Sequence, residues 1–321
     1  MRLNFLLASL LAISAGACSR PVRQALPPAI STQPALSELW VDPETSGRRD
    51  LFYGPGGSAL APKETSFAFV AADTSGFSAG YDVTDDSGLE WSVKLGPEAQ
   101  SEVATSRILW AIGFHQPPTY YLAEWTLIGS QAGTQPAGRF RPKLAGHEVV
   151  GDWSWYENPF VTSRPFRGLV VANLILNSWD WKTSNNKIYS IQNGGRTERR
   201  FVVRDVGASL GKTTYPRILK WFRLRGFGQG TRNDIEGFEE QGFITRVEGD
   251  RVAFDYRGIY RDVINTVTAS DVAWMSERMS RLSDAQWDDA FRAGGYDPET
   301  RQRYIRKIKE KIRQGMALAA N

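Results

Sequence analysis

Cysteine is almost missing from this chain: of 321 residues, only Cys18 carries a thiol. That excludes disulfides within the chain, zinc sites built on cysteine, iron–sulfur clusters and a cysteine nucleophile. Histidine is nearly as scarce, with His115 and His147 the only two, too few for most histidine–metal sites. Beyond the first 17 residues no stretch approaches 18 apolar residues, so no membrane-spanning helix is expected there. The longest apolar run, Leu169–Leu176, is broken only by Asn173 and suits a buried helix. Charge is not concentrated either: 39 basic and 35 acidic residues leave a net +4. The densest basic patch, Arg301–Arg313, includes Glu310 on a helical pattern. It reads as a solvated helix face, and no nucleic-acid partner is expected. The remainder, 41% apolar and 23% charged, is ordinary globular composition.

The first residues are not fold. Met1-Arg2 is followed by an apolar run from Phe5 to Ala17 and then Cys18. Ala15-Gly16-Ala17-Cys18 resembles a bacterial lipoprotein processing site. The resemblance implies a signal peptide over 1–17, with Cys18 becoming the lipidated first residue. Residues 18–38, with Pro21, Pro27, Pro28 and Pro34, read as an extended tether. Ser19 lacks the aspartate associated with inner-membrane retention, so the expected location is the cell envelope, anchored to the outer membrane on its periplasmic side.

From Ser66 the pattern alternates with a period of two. Ser66–Ala72, Tyr81–Thr84 and Leu89–Leu95 read as strands, separated by the small-residue turn 73–80 and by Asp85-Asp86-Ser87-Gly88. Gly96-Pro97 opens a helix whose apolar face is Ala104, Ile108, Ala111 and Ile112, and Gly113 stops it. The helical wheel places neither Glu98 nor Glu102 on that face. Tyr120–Ile128 reads as a further strand, and Gly129–Gly146 as a Gly/Pro/Arg-rich connection. Phe166–Asn177, apolar nearly all round, is expected to be a buried helix. Lys187–Gln192 and Glu198–Arg204 flank Asn193-Gly194-Gly195, a strong hairpin signal. Two helices close the pattern, one capped by Ser283 with Gln286 and ended by Gly294-Gly295, the other opened by Asp297-Pro298.

The chemistry-bearing segment is Asn177-Ser178-Trp179-Asp180-Trp181-Lys182-Thr183-Ser184-Asn185-Asn186, followed after the hairpin by Arg204-Asp205-Val206-Gly207. If 187–204 is a hairpin, its ends lie side by side. Asn185 and Asp205 then come within reach of one oxygen-coordinated cation. An amide and a carboxylate leave positions open for water and phosphate, which suits magnesium. Asp180 leads into the same loop from the end of the buried helix. Taken singly, Asn185 and Asn186 also read as turn caps, Asp205 as a loop acid and Lys94 as a snorkelling strand-edge lysine. Trp153, Trp155, Trp179 and Trp181 read as aromatic anchors of core and loop rather than as a carbohydrate platform.

Asp180-x-Lys182-x-x-Asn185 with the later Asp205-Val206-Gly207 resembles the protein-kinase-like superfamily. The departures point to its atypical members, such as HipA-like, secretory-pathway or phosphoinositide-type kinases. Ser178-Trp179 stands where many kinases have His-Arg, 73–80 is not the usual glycine loop, and no Ala-Pro-Glu follows Asp205. The resemblance implies an α+β, two-lobed fold: an antiparallel sheet-plus-helix lobe over 39–128 and a larger, mainly helical lobe over 129–321. It implies that Asp180 orients the attacking hydroxyl and that Lys182 neutralises charge on the moving phosphoryl group. Asn185 and Asp205 hold magnesium, with manganese as a substitute, on ATP. Lys94 contacts the nucleotide phosphates, with Glu102 as its ion-pair partner. The acceptor is a hydroxyl of a protein, lipid or small molecule. A lipidated protein lies where ATP is scarce, so a catalytically inactive binding lipoprotein on the same fold stands beside the phosphotransferase reading.

Overall fold

The computed structural model describes residues 34–45, 49–73, 78–130, 132–213 and 229–320. The segments read as a signal peptide and, for the most part, as a tether, including Cys18, lie outside these residues, as does the middle of the 73–80 turn. The last tether residues are part of the fold: Leu36–Glu38 makes a 3-10 turn and Leu39 is buried in the main core.

The strands read from period-two alternation all form. β1 (Ser66–Asp73), β2 (Gly80–Thr84) and β3 (Glu90–Leu95) make an antiparallel meander, and α1 (Glu98–Ala111) follows directly. The segment 120–128 is not one strand. It divides at Ala123-Glu124 into β4 (Tyr120–Leu122) and β5 (Trp125–Ile128), which pair in separate places. β5 runs parallel to β1 and antiparallel to β6 (Gly133–Gln135), whereas β4 pairs with β7 (Gly138–Pro142). The sheet order is β4-β7-β3-β2-β1-β5-β6. The sheet therefore runs to Pro142, beyond the limit at 128 set by sequence. β7 was invisible because Gly-Arg-Phe-Arg-Pro carries one apolar side chain, yet all five residues are buried.

One face of this sheet is rich in aromatic residues. Phe67, Trp91, Trp125 and Phe140 contact one another with ring centroids 4.8–6.4 Å apart. Most of these contacts are edge-to-face, each worth about 0.5–1.5 kcal/mol beyond the area buried. This core is separate from the larger one, to which α1 contributes Ala104, Ile108 and Leu109.

The rest of the chain is helical with added strands. β8 (His147–Asp152) joins the expected hairpin of β9 (Asn186–Asn193) and β10 (Arg196–Val203) in a three-stranded sheet ordered β10-β9-β8. The buried helix α2 (Arg164–Ile175) starts at Ser163, whose side chain accepts from the Phe166 amide. After α3 (Ile235–Glu240), the hairpin β11 (Ile244–Glu248) and β12 (Arg251–Phe254), and α4 (Arg261–Ile264) come three longer helices. These are α5 (Ala269–Ser280), α6 (Asp284–Ala293) with the Ser283/Gln286 capping box, and α7 (Pro298–Met316) with Asp297 as N-cap. Trp153 and Trp155 are buried, Trp155 stacking on Trp181 at 4.8 Å, so neither offers a face to a glycan.

α7 reaches across the core to the end of α2. The fully buried Lys311 ammonium donates to Asn177 Oδ1 at 2.7 Å and to the Ile175 carbonyl at 3.3 Å, and lies 4.3 Å from the Phe238 ring centroid. Burial, with repulsion from Lys307 behind it, pulls its pKa down to about 7. The folded chain then holds fewer protons than the unfolded chain from pH 7 upward, so stability should rise with pH there. Denaturant titrations at pH 7, 8 and 9 should show ΔG climbing by up to about 1.4 kcal/mol per pH unit, and Lys311→Met should flatten that climb.

Candidate functional site

Strand periodicity places the lysine. Trp91 and Val93 of β3 fill the aromatic core, so the alternate residues Ser92 and Lys94 face the other way, towards α1. β3 lies between β2 and β7, so Lys94 is on an inner strand, not an edge. Gly96, at φ +95°, lets the chain turn from strand into helix, and Glu98 and Glu102 follow one helical turn apart.

Lys94 Nζ meets three carboxylates. It lies 2.6 Å from Glu98 Oε2 and 3.5 Å from Glu102 Oε2, and it donates to both oxygens of Asp205 at 2.9 and 3.1 Å. The expected pairing with Glu102 is present, but Glu98 is the nearer glutamate. Glu102 is chiefly engaged by two arginines of β7, Arg139 Nε at 3.0 Å and Arg141 Nη2 at 2.6 Å. Both glutamates are buried, at 5% and 1% exposure, although the helical wheel keeps them off the apolar face.

That burial has a visible cause, because α1 docks its polar face against the loop after Asp205. Ser101 donates to the Gly207 carbonyl at 2.6 Å, and Thr105 shares a hydrogen bond with Ser209 at 2.8 Å. A Cβ at Gly207 would stand 2.8 Å from Glu98 Cβ, so glycine is what permits this approach.

The hairpin delivers Asp205 as its geometry requires. Asn186 pairs with Val203, and the Asn185 carbonyl accepts the amides of Arg204 at 2.9 Å and Asp205 at 3.1 Å. Asn185 Nδ2 donates to the Asp180 carbonyl at 2.8 Å, and no hydrogen bond to its Oδ1 is formed among the described residues. Asp180 Oδ2 accepts from Lys182 Nζ at 2.9 Å, while Asp180 Oδ1 is buried and has no hydrogen-bond partner among the described residues. Lys182 is 60% exposed. The loop carrying these residues is fixed from both sides. Asn177 sits at φ 51° and donates to the Gly211 carbonyl at 2.6 Å, while the Trp179 amide bonds Ala208 and its indole bonds Thr231.

Burial raises the Asp205 pKa, but the Lys94 charge and hydrogen bond, backed by Arg139 and Arg141, bring it down to about 2. Those carboxylates in turn hold Lys94 above its ordinary value against burial. Burial and Arg141 bring Arg139 down to about 10.

Asn185 and Asp205 carry donor types that magnesium accepts. No cluster of three or more His, Cys, Asp or Glu that could cage a metal occurs among the described residues. Asp205 with Asn185 Oδ1 is instead the sparse pair that magnesium accepts when water and phosphate complete its shell. Lys94 Nζ, bonded to both Asp205 oxygens, already places positive charge at that carboxylate.

Sequence reading takes Glu102 rather than Glu98 as the partner of Lys94, and misses Arg139, Arg141 and Arg204. The period-two Arg139-Phe140-Arg141 was the available signal: Phe140 enters the aromatic core and its neighbours face Glu102.

No protein-family model matches this chain, and no curated protein matches it. Among solved structures it is similar to the Helicobacter pylori proinflammatory kinase CtkA, at 13% identity and TM-score 0.46, over 80% of this chain and 98% of that one. It is also similar to the Rio2 kinase of Chaetomium thermophilum, solved as an ADP/Mg2+-phosphoaspartate complex. There the identity is 12% and the TM-score 0.32, over 78% of this chain and 72% of that one.

Removing Lys94 takes away the leading influence that lowers the Asp205 pKa. In Lys94→Met the Asp205 carboxyl should titrate about one unit or more above its wild-type value, followed by carboxyl-carbon NMR.

Proposed function

We propose that the chain is an atypical kinase-like phosphotransferase that uses ATP with magnesium to phosphorylate a hydroxyl. The observation that carries this reading is the meeting of Lys94 with Asp205, 111 residues apart, beside a loop that presents Asn185 and Asp180. In this reading Asp205 and Asn185 hold the magnesium on the nucleotide phosphates. Lys94, released from Asp205, takes the phosphates while Glu98 and Glu102 keep it oriented. Asp180 Oδ1, without a hydrogen-bond partner, is the acceptor for the proton of the attacking hydroxyl. Lys182, held at 2.9 Å from Asp180, offsets charge on the group in transfer.

The hold of Lys94 on both Asp205 oxygens also suits a protein that binds a ligand without turning it over. One experiment separates the two. The full chain is melted with ATP, ADP and GTP, with and without magnesium or manganese, beside Asp205→Ala and Asp180→Asn. A metal-dependent rise in Tm, lost in Asp205→Ala, supports the nucleotide site, because a ligand that binds only the folded state must stabilise it. ATP hydrolysis that falls by about 10²–10⁴-fold in Asp180→Asn supports catalysis. Binding without turnover assigns the protein to the second reading, and no shift at millimolar nucleotide sinks the first.

Anchoring at the envelope belongs to the same proposal and rests on the residues before Cys18. Labelled fatty acid should be incorporated into the full chain in a bacterial host and lost in Cys18→Ala. Labelling that persists in the variant would overturn the assignment.

A further inference from the structure

Among the described residues around Lys94 and Asp205, Arg204 carries a guanidinium with no hydrogen bond or ion pair. It is half-buried, next in sequence to Asp205, and its Nε is buried without a hydrogen bond. Among the described residues its guanidinium makes no hydrogen bond or ion pair, although its backbone does, donating to Asn185 and accepting from Arg141 Nη2 at 3.1 Å. That last bond brings a second guanidinium, the one of Arg141, against the same residue.

Arg141 shares the problem. Its side chain is 8% exposed and bonded to Glu102, yet its own Nε is also buried with no acceptor. Glu102 already answers Arg139 and Arg141 and stands 3.5 Å from Lys94. Asp205 is taken by Lys94 and Glu98 by Lys94 and Arg232. No carboxylate of this group is left for Arg204. A guanidinium held partly out of water beside a second one, with N–H donors unspent, is built to receive an anion rather than to support the fold. The planar fork of arginine suits tetrahedral oxyanions, which accept several N–H bonds at once.

We propose that Arg204 and Arg141 form a phosphate-binding subsite, additional to the contact assigned to Lys94, which takes a phosphate group of the donor or a free phosphate chain. This rests on the phosphotransfer reading for its role in the reaction. The occupant enters past Asp205, whose side chain is 40% exposed, and its negative charge settles the two guanidinium groups together. A ligand dense in phosphate is therefore favoured over one with a single charge.

The test uses the full chain without metal, with inorganic phosphate, tripolyphosphate and ATP as probes. Tripolyphosphate at millimolar concentration should raise Tm by about 2–4 °C in the wild type, more than inorganic phosphate does. Arg204→Gln should lose most of the shift and Arg204→Lys should keep part of it. Arg246→Gln, at an arginine 69% exposed, should keep all of it. The unliganded Arg204→Gln protein should melt no lower than wild type, because an unanswered charge has been removed, so a lost shift would not reflect misfolding. A metal-free ATP shift that also depends on Arg204 identifies the nucleotide as the source. A shift with tripolyphosphate alone identifies free phosphate chains. Equal shifts in wild type and Arg204→Gln, or none in wild type, overturn the subsite. Arg204-dependent tripolyphosphate binding without any metal-dependent nucleotide shift would retain the subsite and reject the phosphotransfer reading.

Discussion

Everything in the candidate site depends on holding one ammonium group among three carboxylates that come from two other places in the chain. Lys94 arrives on an inner strand, Glu98 and Glu102 on the helix that follows it, and Asp205 from the far end of a hairpin. Buried charges of this kind are costly to desolvate and tolerable only when each finds its counterpart. The fold meets that condition by turning the polar faces of β3, β7 and α1 towards one another. The apolar faces of β3 and β7 serve the aromatic core, while that of α1 serves the larger one. Lys94 and Arg139 are cross-strand neighbours of like charge, an arrangement that only Glu102 between them makes acceptable.

How much of this could be read from sequence varied with the interaction responsible. The meander, α1, the buried helix and the hairpin were legible because their periodicity and turn residues are local. The hairpin in turn placed Asn185 against Asp205 by counting alone. What was hidden depended on partners distant in sequence. β7 carries one apolar side chain and is a strand because β3 and β4 flank it. Glu98 and Glu102 sit on what a helical wheel takes for the solvent side, but that side docks on Gly207 and Ser209. A wheel sorts residues by polarity and cannot recognise a polar face buried against another polar face.

The tryptophans follow the same distinction. Their expected role as anchors holds: Trp155 and Trp181 stack inside the structure, and Trp179 fixes the loop before Asp180 through Ala208 and Thr231. These tryptophans serve the core and the support of a loop.

The contact between Lys311 and Asn177 joins residues 134 positions apart and braces the loop on which Asp180 and Asn185 sit. During synthesis, the sheet and the hairpin can form as soon as they leave the ribosome, because their contacts are local or nearly so. The loop cannot reach its final bracing until α7 has emerged and packed. The growing chain therefore passes through a stage in which Lys94 and Asp205 are both present but the site they belong to is not yet held in shape. Competence of the cleft is thereby tied to completion of the helical body.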